Sequence, residues 1–91
     1  MKRQLRALYT GTVQGVGFRF TAQNLAKRFQ ITGYVRNLQD GTVEIIAEGA
    51  EEQLRDFCAA IEASHVGSFI REVKTFWDEP TERFAGFEIA V

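Results

Sequence analysis

The residues best suited to chemistry lie in one short stretch, residues 11–19, which reads Gly-Thr-Val-Gln-Gly-Val-Gly-Phe-Arg. Gly15 and Gly17 can adopt positive φ angles without a steric penalty, so successive backbone N–H groups can turn toward one point. The helix predicted to follow adds partial positive charge at its N-terminus. Arg19 supplies a planar fork of donors that matches a phosphate or carboxylate. The stretch therefore predicts a binding site for a phosphate group.

Two familiar phosphate-binding patterns are missing from this stretch. No Gly-Lys-Ser/Thr sequence follows the glycines, so it is not a Walker A loop. The dinucleotide-binding fingerprint is also absent, because Phe20 stands where its third glycine would be. General rules thus leave an alternative open, in which Gly15 and Gly17 form only a tight turn and Arg19 only a surface ion pair.

A second motif follows farther along the chain. Residues 33–37 read Gly-Tyr-Val-Arg-Asn, and residues 40–44 read Asp-Gly-Thr-Val-Glu. Taken alone, Asn37 is typical of a turn or of the end of a strand. In this order and at this spacing, however, the two motifs together resemble the acylphosphatase family. The resemblance covers essentially the whole chain.

The resemblance implies a fold, a reaction and a set of site residues. The fold is a ferredoxin-like α+β sandwich, and the reaction is hydrolysis of the carboxyl-phosphate bond of acyl phosphates to a carboxylate and inorganic phosphate. Arg19 is implied to bind the phosphate and Asn37 to position the attacking water. The phosphate is also implied to contact the loop backbone at Gln14, Gly15, Val16, Gly17, Phe18 and Arg19. The implied partner is a small-molecule acyl phosphate, with no cofactor and no metal.

The residue types suit the demands of this reaction. The leaving group is a carboxylate whose conjugate acid has a pKa of about 4, so a general acid is not essential. The transition state mainly needs its negative charge stabilised and its nucleophile aligned. Backbone N–H groups with one arginine can do the first, and an asparagine amide, both donor and acceptor, can orient a water. The sequence offers no evident catalytic triad or metal-binding cluster that would indicate another mechanism.

Composition places the chain among small globular proteins. Its 91 residues are 45% hydrophobic and 25% charged, which predicts a single domain over residues 1–91. A net charge of −1 and a pI of about 5.8 argue against a nucleic-acid-binding surface. One cysteine forbids an internal disulfide, and we detect no signal peptide or transmembrane helix. We therefore expect a cytoplasmic monomer that binds neither nucleic acid nor membrane.

The periodicity of the apolar residues predicts the order β-α-β-β-α-β with a short final strand. Strands are predicted at residues 5–13, 34–38, 42–48, 69–77 and 84–91, and a loop at residues 64–68. Helices are predicted at residues 19–29 and about 51–63, each with an apolar stripe. Two stripes of similar size favour two helices on one face of an antiparallel or mixed sheet, which is the split β-α-β arrangement.

Other reactive or bulky side chains are interpreted as structural. Thr42 either braces Asn37 across the predicted hairpin or simply favours a strand. Cys58 lies in an apolar helix stripe and is predicted to be a small core residue, whereas His65 is predicted to lie at the surface. Trp77 and the phenylalanines are predicted to pack in the core and on the sheet.

Two other functions are compatible with a domain of this topology. A module that binds anions without turnover would be expected to lack Arg19 or Asn37, and both are present. An RNA-binding domain would need an aromatic and basic strand motif that the sequence lacks. Departures from the family pattern, at residues 68–70 and near the end of the chain, leave the substrate preference more open than the reaction.

Overall fold

Five strands and two α-helices follow one another along the chain in a computed structural model that describes residues 1–91. The strands are β1 (Lys2–Gly11), β2 (Ile31–Asn37), β3 (Val43–Ala50), β4 (Ile70–Asp78) and β5 (Phe87–Ile89). The helices are α1 (Phe18–Ala26) and α2 (Glu51–Ala63), and a short 3-10 helix, His65–Phe69, precedes β4. None of these helices has the length and apolar character needed to cross a membrane.

The strands form one mixed sheet in the order β4-β1-β3-β2-β5. Strand β3 pairs antiparallel with both β1 and β2, while β5 runs parallel to β2. Strands β1 and β2 therefore run in the same direction, with β3 between them. Consequently their C-terminal ends, at Gly11 and Asn37, lie at the same end of the sheet. This topology brings together the two motifs that the sequence separates.

Both helices pack on one face of the sheet. Tyr9 of β1 and Phe18 of α1 are almost fully buried, and their ring centroids lie 4.9 Å apart. Burying a side chain such as Phe18 contributes about 1.5–3 kcal/mol, which fixes the start of α1 against the sheet. The same core combines inward strand residues with the two helix stripes: Leu5, Ala7, Val35, Val43, Ile45, Ala47, Ala22, Leu25, Ala26, Leu54, Phe57 and Ile61.

The predicted α+β architecture, element order and placement of both helices on one face are confirmed. The predicted end of α1 at residue 29 is wrong, because the helix ends at Ala26. The N–H groups of Lys27, Arg28 and Phe29 donate to carbonyls three residues back, so the chain tightens into turns there. The cationic side chains at residues 27 and 28 therefore lie beyond the helix.

Strand boundaries also differ from the prediction. Strand β2 begins at Ile31 and includes Gly33, so the predicted start of this strand at residue 34 is wrong. A Cβ on Gly33 would lie 1.9 Å from the carbonyl oxygen of Ile46, so glycine allows β2 and β3 to approach closely. Strand β5 is only three residues long, and the predicted loop 64–68 contains most of the 3-10 helix.

A buried carboxylate lies on the sheet face that the helices leave uncovered. Glu44 of β3 is 3% exposed and accepts hydrogen bonds of 2.7 Å from Nε of Arg6 and Nε of Arg36. Burial alone would raise the pKa of Glu44, but the two arginines outweigh it and lower that pKa. The charged group thus joins β1, β2 and β3 across the face opposite the hydrophobic core.

Candidate active site

Beyond the end of β1, the chain forms the glycine loop (residues 14–19), which leads into α1. Gly15 and Gly17 have φ angles of 81° and 82°, in the left-handed region that favours glycine. A Cβ on either residue would meet no atom within 4 Å, so the requirement for glycine is conformational rather than steric. Gly17 is also the N-cap of α1, and no side chain caps this helix end. Backbone N–H groups of the first turn are therefore available to an external acceptor.

Arg19 is the second residue of α1, and its side chain is exposed. It takes part in none of the five salt bridges of the molecule. A structural ion pair, the alternative role for Arg19, thus has no partner within the chain. The adjacent Phe18 is only 2% exposed, so Arg19 extends from a backbone position that the core fixes.

Asn37 is the last residue of β2 and pairs with Val43 of β3. The turn after it is closed by a 2.9 Å hydrogen bond from the N–H of Leu38 to the carbonyl of Thr42. None of the side-chain hydrogen bonds around this turn involves the amide of Asn37. The amide is therefore placed by regular strand pairing and keeps its donors and acceptor for a ligand or a water.

A single cavity of about 230 Å³ joins the two motifs. It is smaller than the roughly 300–1,000 Å³ typical of sites for drug-sized ligands, which favours a small ligand. Its lining comes from the residue before the glycine loop, the loop itself, α1, β2 and β5: Val13, Gly15, Gly17, Phe18, Arg19, Phe20, Asn37 and Ile89. Arg19 is the only charged group in this lining, which contains no carboxylate, histidine or cysteine. An anion is therefore the ligand that the charge of the cavity favours.

Four of the six residues predicted for the loop site line this cavity, and Gln14 and Val16 do not. Val16 packs against the hydrophobic core instead. The side-chain amide of Gln14 turns toward the β2–β3 hairpin, where its Nε2 donates to the carbonyls of Leu38 and Thr42. These two side chains stabilise the loop, and only their backbone groups remain candidates for phosphate contact.

Three further polar side chains, those of Thr42, Cys58 and His65, lie away from the candidate site. Thr42 donates from its N–H and its hydroxyl to Oδ1 of Asp40, so it does not brace Asn37. The thiol of Cys58 is partly buried against the core, and this burial raises its pKa. His65 is exposed at the start of the 3-10 helix, as predicted. None of these three groups lines the cavity that contains Arg19.

Comparison with known proteins connects this geometry to a family. The sequence model of the acylphosphatase family matches residues 5–89. The chain belongs to the acylphosphatase family. It is 46% identical over 85 residues to an acylphosphatase from Bacillus licheniformis. The aligned region covers 93% of this chain and 91% of that relative.

Solved structures of other proteins agree with the fold. The crystal structure of acylphosphatase from Bacillus subtilis matches with a TM-score of 0.89 at 35% identity, over 98% of this chain and 99% of that one. Full-length HypF, solved in a phosphate- and nucleotide-bound form, matches with a TM-score of 0.87 at 26% identity. That match covers all of this chain but only 12% of HypF. The protein is thus an acid-anhydride hydrolase that converts acyl phosphates to a carboxylate and inorganic phosphate.

Three apolar residues that line this acylphosphatase site were not predicted from the sequence as site residues: Val13, Phe20 and Ile89. Phe20 is 65% exposed, so the prediction that the phenylalanines pack in the core and on the sheet is wrong for this residue. Its position outside the apolar stripe of α1 is a signal that could have identified it. Ile89 is 39% exposed and reaches the cavity only because β5 pairs with β2. No local pattern in the sequence reveals that pairing.

Proposed function

We propose that the glycine loop and Arg19 bind the phosphate group of the acyl phosphate and that Asn37 positions the water that attacks it. The observation that supports these roles is that Arg19, Asn37 and the loop glycines line one cavity. The loop residues and the first turn of α1 offer backbone N–H groups at the positive end of a helix dipole. The guanidinium of Arg19 adds a full charge and a planar set of donors.

The attacking water is oriented by the amide of Asn37. Its carbonyl oxygen accepts a hydrogen bond from the water, and its NH₂ group can contact a phosphate oxygen. The water oxygen forms the new bond to phosphorus while the bond between phosphorus and the acyl oxygen breaks. The carboxylate leaves with the bonding electrons, and the proton of the water passes to a phosphate oxygen. Alignment and charge stabilisation supply the catalysis, without a side-chain acid or base.

The absence of a titratable acid from the cavity lining supports this scheme. A carboxylate, whose conjugate acid has a pKa of about 4, can leave unprotonated, whereas an alkoxide leaving group would need a proton donor. The same site therefore favours acyl phosphates over phosphate monoesters of alcohols. No cofactor or metal enters the proposed reaction.

The acyl group is proposed to lie against the apolar part of the cavity. Phe20 and Ile89 line the same space as Arg19 while remaining substantially exposed. An exposed phenylalanine beside a small anion site offers a surface for the hydrocarbon part of a substrate. Acyl groups with aromatic or branched apolar chains would gain contacts there that an acetyl group lacks.

The chain is further proposed to act as one cytoplasmic domain over residues 1–91, as a monomer and without nucleic-acid partners. The net charge of −1 and the pI of about 5.8 support the last point, since a nucleic-acid surface is usually basic. A gel-filtration mass of one chain would support the monomer, and a mass of two chains would contradict it.

Titration with inorganic phosphate, followed by ¹H–¹⁵N NMR, tests the proposed site. The largest shifts are expected at the backbone amides of residues 15–19 and at Nε of Arg19. The Arg19→Ala variant should lose most of these shifts. Shifts centred away from the glycine loop, or no binding at millimolar phosphate, would contradict the proposal.

A further inference from the structure

The glycine loop and the β2–β3 hairpin are joined by one side chain, that of Gln14. Its Nε2 atom lies 2.8 Å from the carbonyl oxygen of Leu38 and 2.9 Å from that of Thr42. These two carbonyls stand at either side of the turn, where the N–H of Leu38 donates to the carbonyl of Thr42 at 2.9 Å. The amide of Gln14 therefore contacts both ends of the turn at once.

Regular sheet pairing does not reach this part of the molecule. Strand β1 pairs with β3 only as far as Tyr9 and Val43, so the chain beyond that pair leaves the ladder. Among the hydrogen bonds of the structure, only those of Gln14 connect residues 14–19 with residues 37–42. Both bonds are part-buried, which strengthens them relative to exposed ones.

The two ends of this contact are next to the proposed catalytic groups. Gln14 directly precedes Gly15 of the glycine loop, and Leu38 directly follows Asn37. A shift of the hairpin relative to the loop would change the distance between the water held by Asn37 and the phosphate held by the loop. Misplacing a reacting group by about 1 Å can lower the rate about 100-fold.

We propose that Gln14 is a positioning residue, whose side-chain amide sets the position of Asn37 relative to the phosphate-binding loop. A primary amide suits this role, because one neutral nitrogen carries two hydrogens for two carbonyl acceptors. A glutamate of the same shape would present oxygen acceptors to both carbonyls and repel them. The proposal rests on the proposed roles of the loop and Asn37.

Kinetics of Gln14→Ala and Gln14→Glu with benzoyl phosphate test this inference. We expect kcat to fall at least about 10-fold in both variants, because alignment is lost. The inhibition constant of inorganic phosphate should change less than about two-fold, since the loop N–H groups and Arg19 remain. The control is Gln39→Ala in the same turn. The side chain of Gln39 is exposed and makes no hydrogen bond, so its removal should leave kcat unchanged.

The pH profile of Gln14→Glu provides a readout that a purely structural role would not produce. At acidic pH the introduced carboxyl becomes protonated and can donate one hydrogen bond to a carbonyl. We therefore expect its kcat, relative to the original enzyme, to recover partly as the pH falls. A full kcat in Gln14→Ala, or a parallel loss of kcat and phosphate binding, would overturn the proposal.

An NMR measurement separates failure of this inference from failure of the proposed site. If the original enzyme and Asn37→Ala both hydrolyse benzoyl phosphate, Asn37 does not position the attacking water. The positioning by Gln14 is then judged from the side-chain NH₂ signals of Asn37 and the exchange of the Leu38 amide. Both should change in Gln14→Ala at temperatures where the variant is folded. Unchanged signals would overturn the positioning role on their own.

Discussion

Arg19 and Asn37 line the same cavity although they belong to different elements, the first turn of α1 and the last residue of β2. Their proximity follows from the sheet, in which β1 and β2 run in the same direction on either side of β3. The loop after β1 and the end of β2 therefore meet at one end of the sheet. Neither side chain has a hydrogen-bond or salt-bridge partner within the chain, so both are available to a ligand in the cavity.

Replacing either Arg19 or Asn37 by alanine should reduce turnover of an acyl phosphate by at least about 100-fold. Removal of one preorganised group that stabilises a transition state typically costs about 10²–10³ in rate. Arg19→Ala should also weaken inhibition by inorganic phosphate, whereas Asn37→Ala should leave that inhibition largely intact. The measurements are steady-state kinetics and competition, with circular dichroism to verify the fold.

The chain offers matched controls for both replacements. Arg71 and Asn24 are exposed residues of the same types, and neither lines the cavity. Their alanine variants should keep nearly full activity. Near-full turnover in Arg19→Ala or Asn37→Ala would refute the role given to that residue.

Gly15→Ala should lower the affinity for phosphate while the protein remains folded. The φ angle of Gly15 is 81°, and a residue with a Cβ pays about 1–2 kcal/mol to stay in the left-handed region. The loop can relieve that strain by turning its N–H groups away from the phosphate, so the inhibition constant of inorganic phosphate should rise.

Gly41→Ala provides the comparison, because Gly41 has a similar φ of 91° and equally open surroundings, but lies outside the cavity lining. Both variants should lose similar stability in thermal unfolding. Equal phosphate affinity in the two variants would argue against a phosphate-binding backbone at Gly15.

Glu48 should stabilise the segment that leads to β5 in a pH-dependent way. It is 4% exposed and accepts hydrogen bonds from Gln4, Thr81 and Glu82. Burial alone would raise the pKa of Glu48, but these bonds outweigh it and lower that pKa below its ordinary value of 4.5. A lowered folded-state pKa means that the stabilisation is present above pH 4.5 and is lost as the pH falls through the folded-state pKa.

Thermal unfolding of Glu48→Gln measures this effect. At neutral pH the variant should lose about 1.5–3 kcal/mol of unfolding free energy, which is the range for hydrogen bonds to a charged group. Its melting temperature should fall by at least about 4 °C, and its stability should depend less on pH between neutral and acidic conditions. Glu72→Gln, at an exposed position of β4 without side-chain hydrogen bonds, is the control and should have the melting temperature of the original protein. An unchanged pH dependence in Glu48→Gln would assign the acid sensitivity to another group.

Phe20→Ser should alter the substrate preference rather than the chemistry. The exposed ring of Phe20 lines the cavity beside Arg19, so its loss removes apolar contact with a bulky acyl group. We expect KM to rise several-fold for benzoyl phosphate and to change little for acetyl phosphate. Phe76→Ser, which removes a 49% exposed phenylalanine of β4, should change neither value. Equal effects on both substrates would place the acyl group elsewhere.

The sequence was sufficient to predict the features that local patterns encode. The apolar stripes predicted α1 and α2, and the φ requirements of glycine predicted the loop at Gly15 and Gly17. Contacts between distant segments were not predictable in this way. The amide of Gln14 bonds to a carbonyl 24 positions away, and nothing local distinguishes it from any other polar loop residue.

The end of the chain illustrates the same limit. The alternation of Phe87 and Ile89 predicted a strand, but not that β5 would lie parallel to β2 and extend the site. Similarly, the backbone could not be predicted to tighten after Ala26, because the apolar pattern continues to Phe29. In both cases tertiary packing decides between options that are locally equivalent.

In the proposed mechanism, a loop, an arginine and an asparagine hydrolyse an acid anhydride without a proton donor for the leaving group. The most direct test follows the loss of benzoyl phosphate absorbance with purified protein and no added metal, beside p-nitrophenyl phosphate as a monoester control. For this mechanism we expect rapid loss of benzoyl phosphate with little or no hydrolysis of the monoester. Comparable hydrolysis of both substrates, or phosphate binding without hydrolysis of either, would contradict it.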